Sequence, residues 1–431
     1  MGLWTLPSAV LLVVSTALAT AGSGTSAGAT AAAYPGGQSC QEMNPNTGYS
    51  PTIIDAAYAI TPLLRRGIDG AGETVVIPEL FAPGPLSLTG NASDIRQDLA
   101  RFDAIFHLVR AKLRIDTTVT GSSAPYNANY EEVEDLEVLH AVAPRASIEV
   151  MMVPASATDN GNNFTSAVLE LVRAAVSGRA AVISLSGSFG ERYLISKQVA
   201  AMHGALRAAR DSDITFVAAS GDSGALSDNG PPREVSLPSS DPLVLGVGGT
   251  ILAANSSSGA YLGEVAWKGA FGQSASGGGF SSLYRRPAYQ DGVPGIATMR
   301  GVPDVSADAD HRTGLTLVFS NGAKCMTTPA GGTSASTPLW AGVVALADQL
   351  AGRHLGFVNA GIYRIAKSRA YESAFHDVTT GDNTVSSSRG TVTGYKATRG
   401  WDPVTGWGSP NAQVLVPLLA KAVHAGDGGG L

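Results

Sequence analysis

Charge of either sign is scarce in this chain. Lysine and arginine number 29 and aspartate and glutamate 35 among 431 residues, leaving a net charge of −6. That balance supplies no basic surface and removes the electrostatic case for a nucleic-acid partner. Aromatic residues are only 6% while glycines number 52 and hydrophobic residues reach 44%. Such a composition excludes coiled coils and disordered tails and favours a turn-rich α/β chain with a large core. After the N-terminus no apolar run reaches the roughly 20 residues that cross a bilayer, so no membrane anchor is expected and a soluble mature protein is. There are only two cysteines, Cys40 and Cys325. In an oxidising compartment they could pair, and otherwise they are free thiols, because sequence does not supply the Cα separation a disulfide demands. Neither an internal repeat nor a long linker breaks the chain, which points to one main domain; a monomer is the expected state.

The N-terminus reads as an export signal over residues 1–21. Ala9 to Ala19 is apolar but too short to span a membrane, and it ends in the small-residue sites Ala17-Leu18-Ala19 and Ala19-Thr20-Ala21. No lysine or arginine precedes it, which is atypical of such signals. Residues 22–48 form a low-complexity Ala/Gly/Ser/Thr arm, 49–420 the main domain and 421–431 a flexible tail. Asn91, Asn163 and Asn255 lie in glycosylation sequons.

Along the main domain, helical and strand patterns alternate. Pro51 to Ile60 reads as a short helix and Thr74 to Ile77 as a strand ending at Glu79. Helical spacing returns at Phe164 to Val176 and Tyr193 to Arg210, with strands at Ala181 to Leu185, Ile214 to Ala218 and Leu243 to Val247. This alternation predicts an α/β fold with a mostly parallel central sheet covered by helices, with ligands at the carboxyl ends of the strands. The glycine-rich loops at 186–188, 220–224 and 276–279 would open there.

Chemistry concentrates at Gly331-Gly332-Thr333-Ser334-Ala335-Ser336-Thr337-Pro338, followed by the apolar run Leu339 to Ala347. A Gly-Thr-Ser turn feeding a helix exposes the serine hydroxyl at a tight bend, beside a helix N-terminus that favours developing negative charge. A serine nucleophile needs a base. None of the seven histidines is followed by Gly-Thr, the turn that marks a subtilase histidine; His140 is the sole substitute, and its apolar flanks suit a core histidine better. The helix carrying His140 offers carboxylates instead. Glu131 and Asp135 are four residues apart and share a face. As a pair in a low-dielectric site they would share a proton and accept another from serine at acid pH. Glu132, Glu134 and Glu137 are expected on a solvated acidic face.

These residues and their order make the chain resemble the sedolisins, the serine-carboxyl peptidases, over residues 49 to 415. The shared features are Glu131-x-x-x-Asp135 followed by Ala143-Pro144-x-Ala146, the Ser334 turn, and Ala219-Ser220-Gly221-Asp222-Ser223-Gly224. Segments 275–281 and 302–308 are also family-like. The resemblance implies a subtilisin-like three-layer fold and a secreted, acid-acting endopeptidase working on protein or peptide substrates. Ser334 would be its nucleophile, Glu131 and Asp135 its base pair, and Asp222 its oxyanion donor, a role that requires a protonated carboxyl. Glu79 would back Glu131. Segments 375–381 and 400–406 resemble the family's calcium-binding loops, implying one structural Ca2+ held by the carboxylates of Asp377 and Asp402 and the carbonyls of Val378, Thr398 and Gly400. Such an all-oxygen set suits a hard cation. Thr398 stands where the family usually has glycine.

Two other departures carry expectations. Family members commonly place a tryptophan after the strand that here reads Ile183-Ser184-Leu185-Ser186; this chain continues Gly187-Ser188-Phe189-Gly190, predicting a more open cleft. About thirty residues separate the signal from Tyr49, too few for the propeptide domain of most secreted members. The alternatives are a subtilase with a Ser/His/Asp triad, or a non-catalytic secreted binding protein on the same fold.

Overall fold

The computed structural model describes residues 32–33, 39–42, 48–81, 95–117, 130–226, 232–321, 324–387 and 390–422. The export signal, the Asn91 sequon, most of the 22–48 arm and residues 423–431 lie outside the described residues.

Apolar, β-branched runs form the centre. The main sheet contains β1 (Thr74–Phe81), β2 (Lys112–Asp116), β3 (Ser147–Pro154), β4 (Val182–Leu185), β5 (Thr215–Ala219), β6 (Leu245–Ala254), β7 (Tyr261–Ala266) and β8 (Val305–Asp308). Its order is β2-β3-β1-β4-β5-β6-β7, with β8 also pairing β6. Every pairing is parallel except that of β6 with β7. Consecutive residues of β4 and β5 are all buried, as expected for parallel strands covered on both faces.

The principal helices are α1 (Ile95–Phe106), α2 (Tyr130–Val142), α3 (Gly161–Gly178), α4 (Ser196–Asp211), α5 (Gly332–Ala351) and α6 (Ala412–Ala422). α3 packs on α4 and on β1 and β3, while α5 lies across β1, β4, β5, β6 and β8. α2 packs against α5, α1 and the strand Thr316–Asn321. Because the sheet is parallel, Glu79 near the end of β1, Ser186 just past β4 and Asp222 just past β5 all fall at one edge.

Several boundaries differ from the sequence reading, among them the strand read at Leu243 to Val247, which runs from Leu245 to Ala254. Tyr193 lies in a short 3-10 turn, Glu191–Tyr193, and α4 starts only at Ser196. Within the 22–48 arm, Ser39–Glu42 is a strand paired parallel to Lys324–Pro329, and a disulfide joins Cys40 to Cys325 across 285 residues of sequence. At the other end, α6 runs to Ala422, past the predicted domain limit at 420.

The closeness of α2 and α5 rests on a missing side chain. A Cβ on Gly342 would lie 2.6 Å from Val142 Cγ1 and 2.9 Å from Val142 Cβ. Gly342→Val gains a little helix propensity but forces the helices apart, so unfolding in urea should show a loss of about 1–3 kcal/mol. An unchanged or higher stability would mean that the interface has room to spare.

Candidate active site

Helix α5 begins inside the motif that sequence singled out. The chain leaves the strand Lys324–Pro329, turns at Ala330-Gly331 and enters the helix at Gly332. Gly332 has φ +79°, and a Cβ there would lie 2.6 Å from Asp222 Oδ2. Both constraints demand glycine. Ser334 follows on the first helical turn, half-buried.

Asp222 reaches this turn from the loop after β5. Its Oδ1 accepts the Thr333 N–H at 2.8 Å and the Thr333 hydroxyl at 2.8 Å. The Gly221 N–H in turn donates to Thr333 Oγ1 at 3.2 Å. With Oδ1 occupied from within the protein, Oδ2 faces the Gly332 backbone, one residue from the nucleophile turn's Thr333-Ser334.

From the other side comes α2. Glu131 hydrogen-bonds the Ser334 side chain; burial pushes its carboxyl from 4.5 up to about 7, the Ser334 bond pulling it down and the Asp222 charge adding to the rise. Asp135, one turn on, is 1% exposed and accepts the Ser186 hydroxyl at 2.7 Å. Burial raises its carboxyl above the ordinary range, as does the Glu131 charge. Glu79 is buried at the end of β1, raised first by desolvation and then by the charges of Asp135, Glu132, Glu131 and Glu134. The structure thus brings Ser334, Glu131, Asp135, Asp222 and Glu79 to one locus at the carboxyl edge of the sheet.

One expectation fails here. Glu132, Glu134 and Glu137 are not on a solvated face: each is 0% exposed. α2 is enclosed by α5, α1 and the strand Thr316–Asn321, which leaves no solvent side. Glu134 accepts the Gly331 N–H at 3.3 Å and Glu137 the Val318 N–H at 2.8 Å. A signal for this existed, because Tyr130–Val142 has no lysine or arginine to balance its acids and no single apolar face. Ser186 and Thr333 also gained roles that no motif announced.

His140 is committed elsewhere. Fully buried, it holds Nε2 at 2.8 Å from Asp103 Oδ1 and 3.0 Å from the Val109 carbonyl. Among the described residues no histidine hydrogen-bonds Ser334. His311, unremarked in the sequence, packs against Gly331 and lies 6.4 Å from the Tyr130 ring. In the segment lacking tryptophan, Phe189 stacks on Phe164 at 5.4 Å, and Ser188 Oγ lies 3.3 Å from where a Gly221 Cβ would be.

The predicted calcium segments also converge. Both Asp377 oxygens face the Gly400 N–H, at 3.2 and 3.1 Å. Asp402 accepts from the N–H groups of Thr398, Val404 and Thr405 and from the Thr405 hydroxyl. Among the described residues no group of three or more His, Cys, Asp or Glu side chains could hold a metal. A cation here would therefore depend on backbone carbonyls for most of its ligands.

The sequence profile of the subtilase family matches residues 117–359. Kumamolisin of Bacillus sp. (strain MN-32) is 32% identical over 393 residues, covering 88% of this chain and 65% of its own length. Sedolisin of Pseudomonas sp. (strain 101) is 31% identical over 379 residues, covering 83% of this chain and 58% of its own. This chain therefore spans about three fifths of the length of these two relatives. Among solved structures, Pseudomonas sedolisin, a serine-carboxyl proteinase complexed with two molecules of pseudo-iodotyrostatin, superposes with a TM-score of 0.72. That match has 29% identity and covers 88% of this chain and 99% of that one.

The chain belongs to the subtilase family, and within it stands with the sedolisins. Its mostly parallel sheet covered by helices is the fold those proteins share.

Raised carboxyls make stability depend on pH. The folded Glu131 binds its proton up to about 7, against 4.5 for an ordinary glutamate such as that of the unfolded chain, so the folded state holds more protons across that interval. Its contribution is complete below the lower value and is lost as pH rises through the upper one. Asp135, Glu79 and Glu134 are raised in the same direction. Calorimetric Tm should fall steadily from acid to neutral pH; a Tm that rises over this range contradicts the burial of these acids.

Proposed function

We propose that this protein is a secreted serine-carboxyl endopeptidase that hydrolyses protein or peptide substrates at acid pH. The observation that carries the reading is the Glu131–Ser334 hydrogen bond, with Asp135 coupled to Glu131 and Asp222 across Gly332.

The roles follow from the geometry. Ser334 Oγ attacks the scissile carbonyl carbon while its proton passes to the Glu131 carboxylate. Asp135 shares the charge of that carboxylate and is itself held by the Ser186 hydroxyl. The carbonyl oxygen becomes an oxyanion and takes a hydrogen bond from protonated Asp222, whose Oδ2 lies beside Gly332. Loss of one such donor typically costs on the order of 3 kcal/mol of transition-state stabilisation. The proton on the acid pair then goes to the leaving amine, and water reverses the sequence to free Ser334.

A pH–rate profile on a denatured protein substrate tests this. Activity should peak at acid pH and collapse toward neutrality, and an optimum at or above neutral would overturn the carboxylate mechanism. Ser334→Ala and Asp135→Asn should each abolish turnover while retaining the cooperative unfolding transition. Near-normal rates in either variant would contradict the assigned roles.

One structural Ca2+ belongs to the same reading. The residues fit a hard cation: Asp377 and Asp402 supply carboxylates beside the 398–402 loop, with carbonyls from Val378, Thr398 and Gly400. Burial pushes Asp402 up to about 7 despite four hydrogen-bond donors, the condition of a carboxylate short of positive charge. When bound, the ion supplies that charge and ties the two segments together. Chelator should lower Tm and added calcium restore it; a Tm indifferent to both would exclude the site.

A further inference from the structure

Thr333 fixes one carboxyl oxygen of Asp222, but the Asp222 backbone is held by a different part of the chain. The loop after β5 runs alongside residues 275–278. The Asp222 carbonyl accepts the Ala275 N–H at 2.8 Å, and the Gly221 carbonyl accepts the Gly277 N–H at 2.7 Å. In return the Gly224 N–H donates to the Ala275 carbonyl at 2.9 Å. The pairing is an isolated bridge between Ser223 and Ala275 and not a strand of the main sheet. A contact this short needs support from outside.

Asn383 supplies it. The residue is 0% exposed. Its Nδ2 donates to the Ser276 carbonyl at 3.1 Å and to the Gly278 carbonyl at 3.4 Å. Its Oδ1 accepts the Tyr395 N–H at 2.7 Å, and its backbone carbonyl takes the Ala225 N–H at 3.1 Å. One residue thus holds both partners, the Asp222 loop through its main chain and residues 275–278 through its side chain. The approach is close: a Cβ on Gly224 would lie 2.7 Å from Val385 Cγ1 and nearer still to the Asn383 carbonyl oxygen. Val385 also joins Leu226, Ala275 and Val392 in a buried apolar cluster over the same junction.

The chemistry of the place calls for an amide. Two carbonyls on one side require two N–H donors, and the Tyr395 N–H on the other requires an acceptor. Among neutral side chains only the amides of asparagine and glutamine combine these. We propose that Asn383 is a positioning residue for the oxyanion site: by tying residues 275–278 to the loop after β5, it sets the place of the Asp222 backbone. With Oδ1 anchored on Thr333, a shift of that backbone swings Oδ2 away from the point where the oxyanion develops. This rests on reading Asp222 as the oxyanion donor.

Asn383→Ala removes the side-chain tie and leaves Asp222 itself in place. At acid pH, kcat should fall by about tenfold or more while KM changes by less than about twofold, because the oxyanion forms only in the transition state. A double-mutant cycle separates positioning from general support of the fold. Asp222→Ala removes the group being positioned, so adding Asn383→Ala to it should lower the residual kcat by less than about twofold. An equal loss in both backgrounds would overturn the inference, as would a loss confined to KM or an unchanged kcat. If Asn383→Ala does not fold, Asn383→Asp serves in its place: it has the same shape and still accepts from Tyr395, but offers at most one hydrogen instead of two. It should show the same split and the same dependence on Asp222, and a result lacking either overturns the inference too. Hydrogen exchange gives a readout without turnover. Peptides covering 219–226 and 274–280 should lose protection in the Asn383 variant, while those over α2 and the head of α5 keep it. If the unmodified chain cleaves no peptide, the proposed function fails, and the exchange pattern alone decides whether the tie stands.

Discussion

A cluster of buried carboxyl groups that act on one another is the constraint around which this molecule is arranged. The charges that act on Glu79, Glu134 and Asp135 are all carboxylates. An ionised carboxylate in a low-dielectric interior is costly unless it is neutralised or hydrogen-bonded. The donors that meet these acids come from the framework: Ser186 beyond β4 to Asp135, Thr333 at the head of α5 to Asp222, Gly331 to Glu134, and Val318 to Glu137. These bonds tie α2 to the sheet edge and to α5, while Glu79, Glu134 and Glu137 each keep one buried oxygen without a hydrogen-bond partner among the described residues. The electrostatic difficulty of the site and its geometric precision are the same fact.

A second constraint acts from within α5. Pro338 sits inside the helix and has no N–H, so the carbonyl four residues earlier, that of Ser334, receives no helical bond. Ser186 Oγ lies 3.3 Å from that carbonyl and 2.7 Å from Asp135 Oδ1. One hydroxyl therefore stands between the nucleophile's backbone and the acid pair. The same turn gains a local bond, Thr337 Oγ1 to the Thr333 carbonyl at 2.7 Å. The break in helical bonding gives a third element, the end of β4, a direct hold on the residue that would react.

Much of this was legible from residues alone because it depends on short-range spacing. The i, i+4 separation of Glu131 and Asp135 and the glycines before Ser334 encode local geometry, and alternating helical and apolar segments encode a parallel sheet. Burial of Glu132, Glu134 and Glu137 was not legible from periodicity, since their cover comes from α1 and a strand almost two hundred residues away. The strand at Ser39–Glu42 is a similar case: four residues become a strand only because Lys324–Pro329 offers an edge. The absence of basic partners on α2 was the usable clue, and it concerns charge balance rather than pattern. Thr398, by contrast, fits its loop with its N–H on Asp402, so the missing glycine there does not prevent the turn.

The charge logic of the proposed reaction differs from that of a histidine site, although the base is poised at a similar pH. A carboxyl raised to about 7 matches the ordinary basicity of imidazole. When imidazole takes the serine proton it becomes a cation that attracts the oxyanion. When Glu131 takes it, a negative charge disappears and no positive one replaces it. The oxyanion then stands among further carboxyls, and stabilisation has to come from neutral dipoles alone. An ionised Asp222 at the edge of that space would repel it, while a protonated Asp222, its other oxygen already fixed by Thr333, can donate. A site built on carboxylates therefore needs its oxyanion donor protonated while the Glu131/Asp135 pair still holds one ionised carboxylate to accept the serine proton, so the reaction requires a partly protonated site. His140, which could have altered that balance, is held by Asp103 on the far side of the helix.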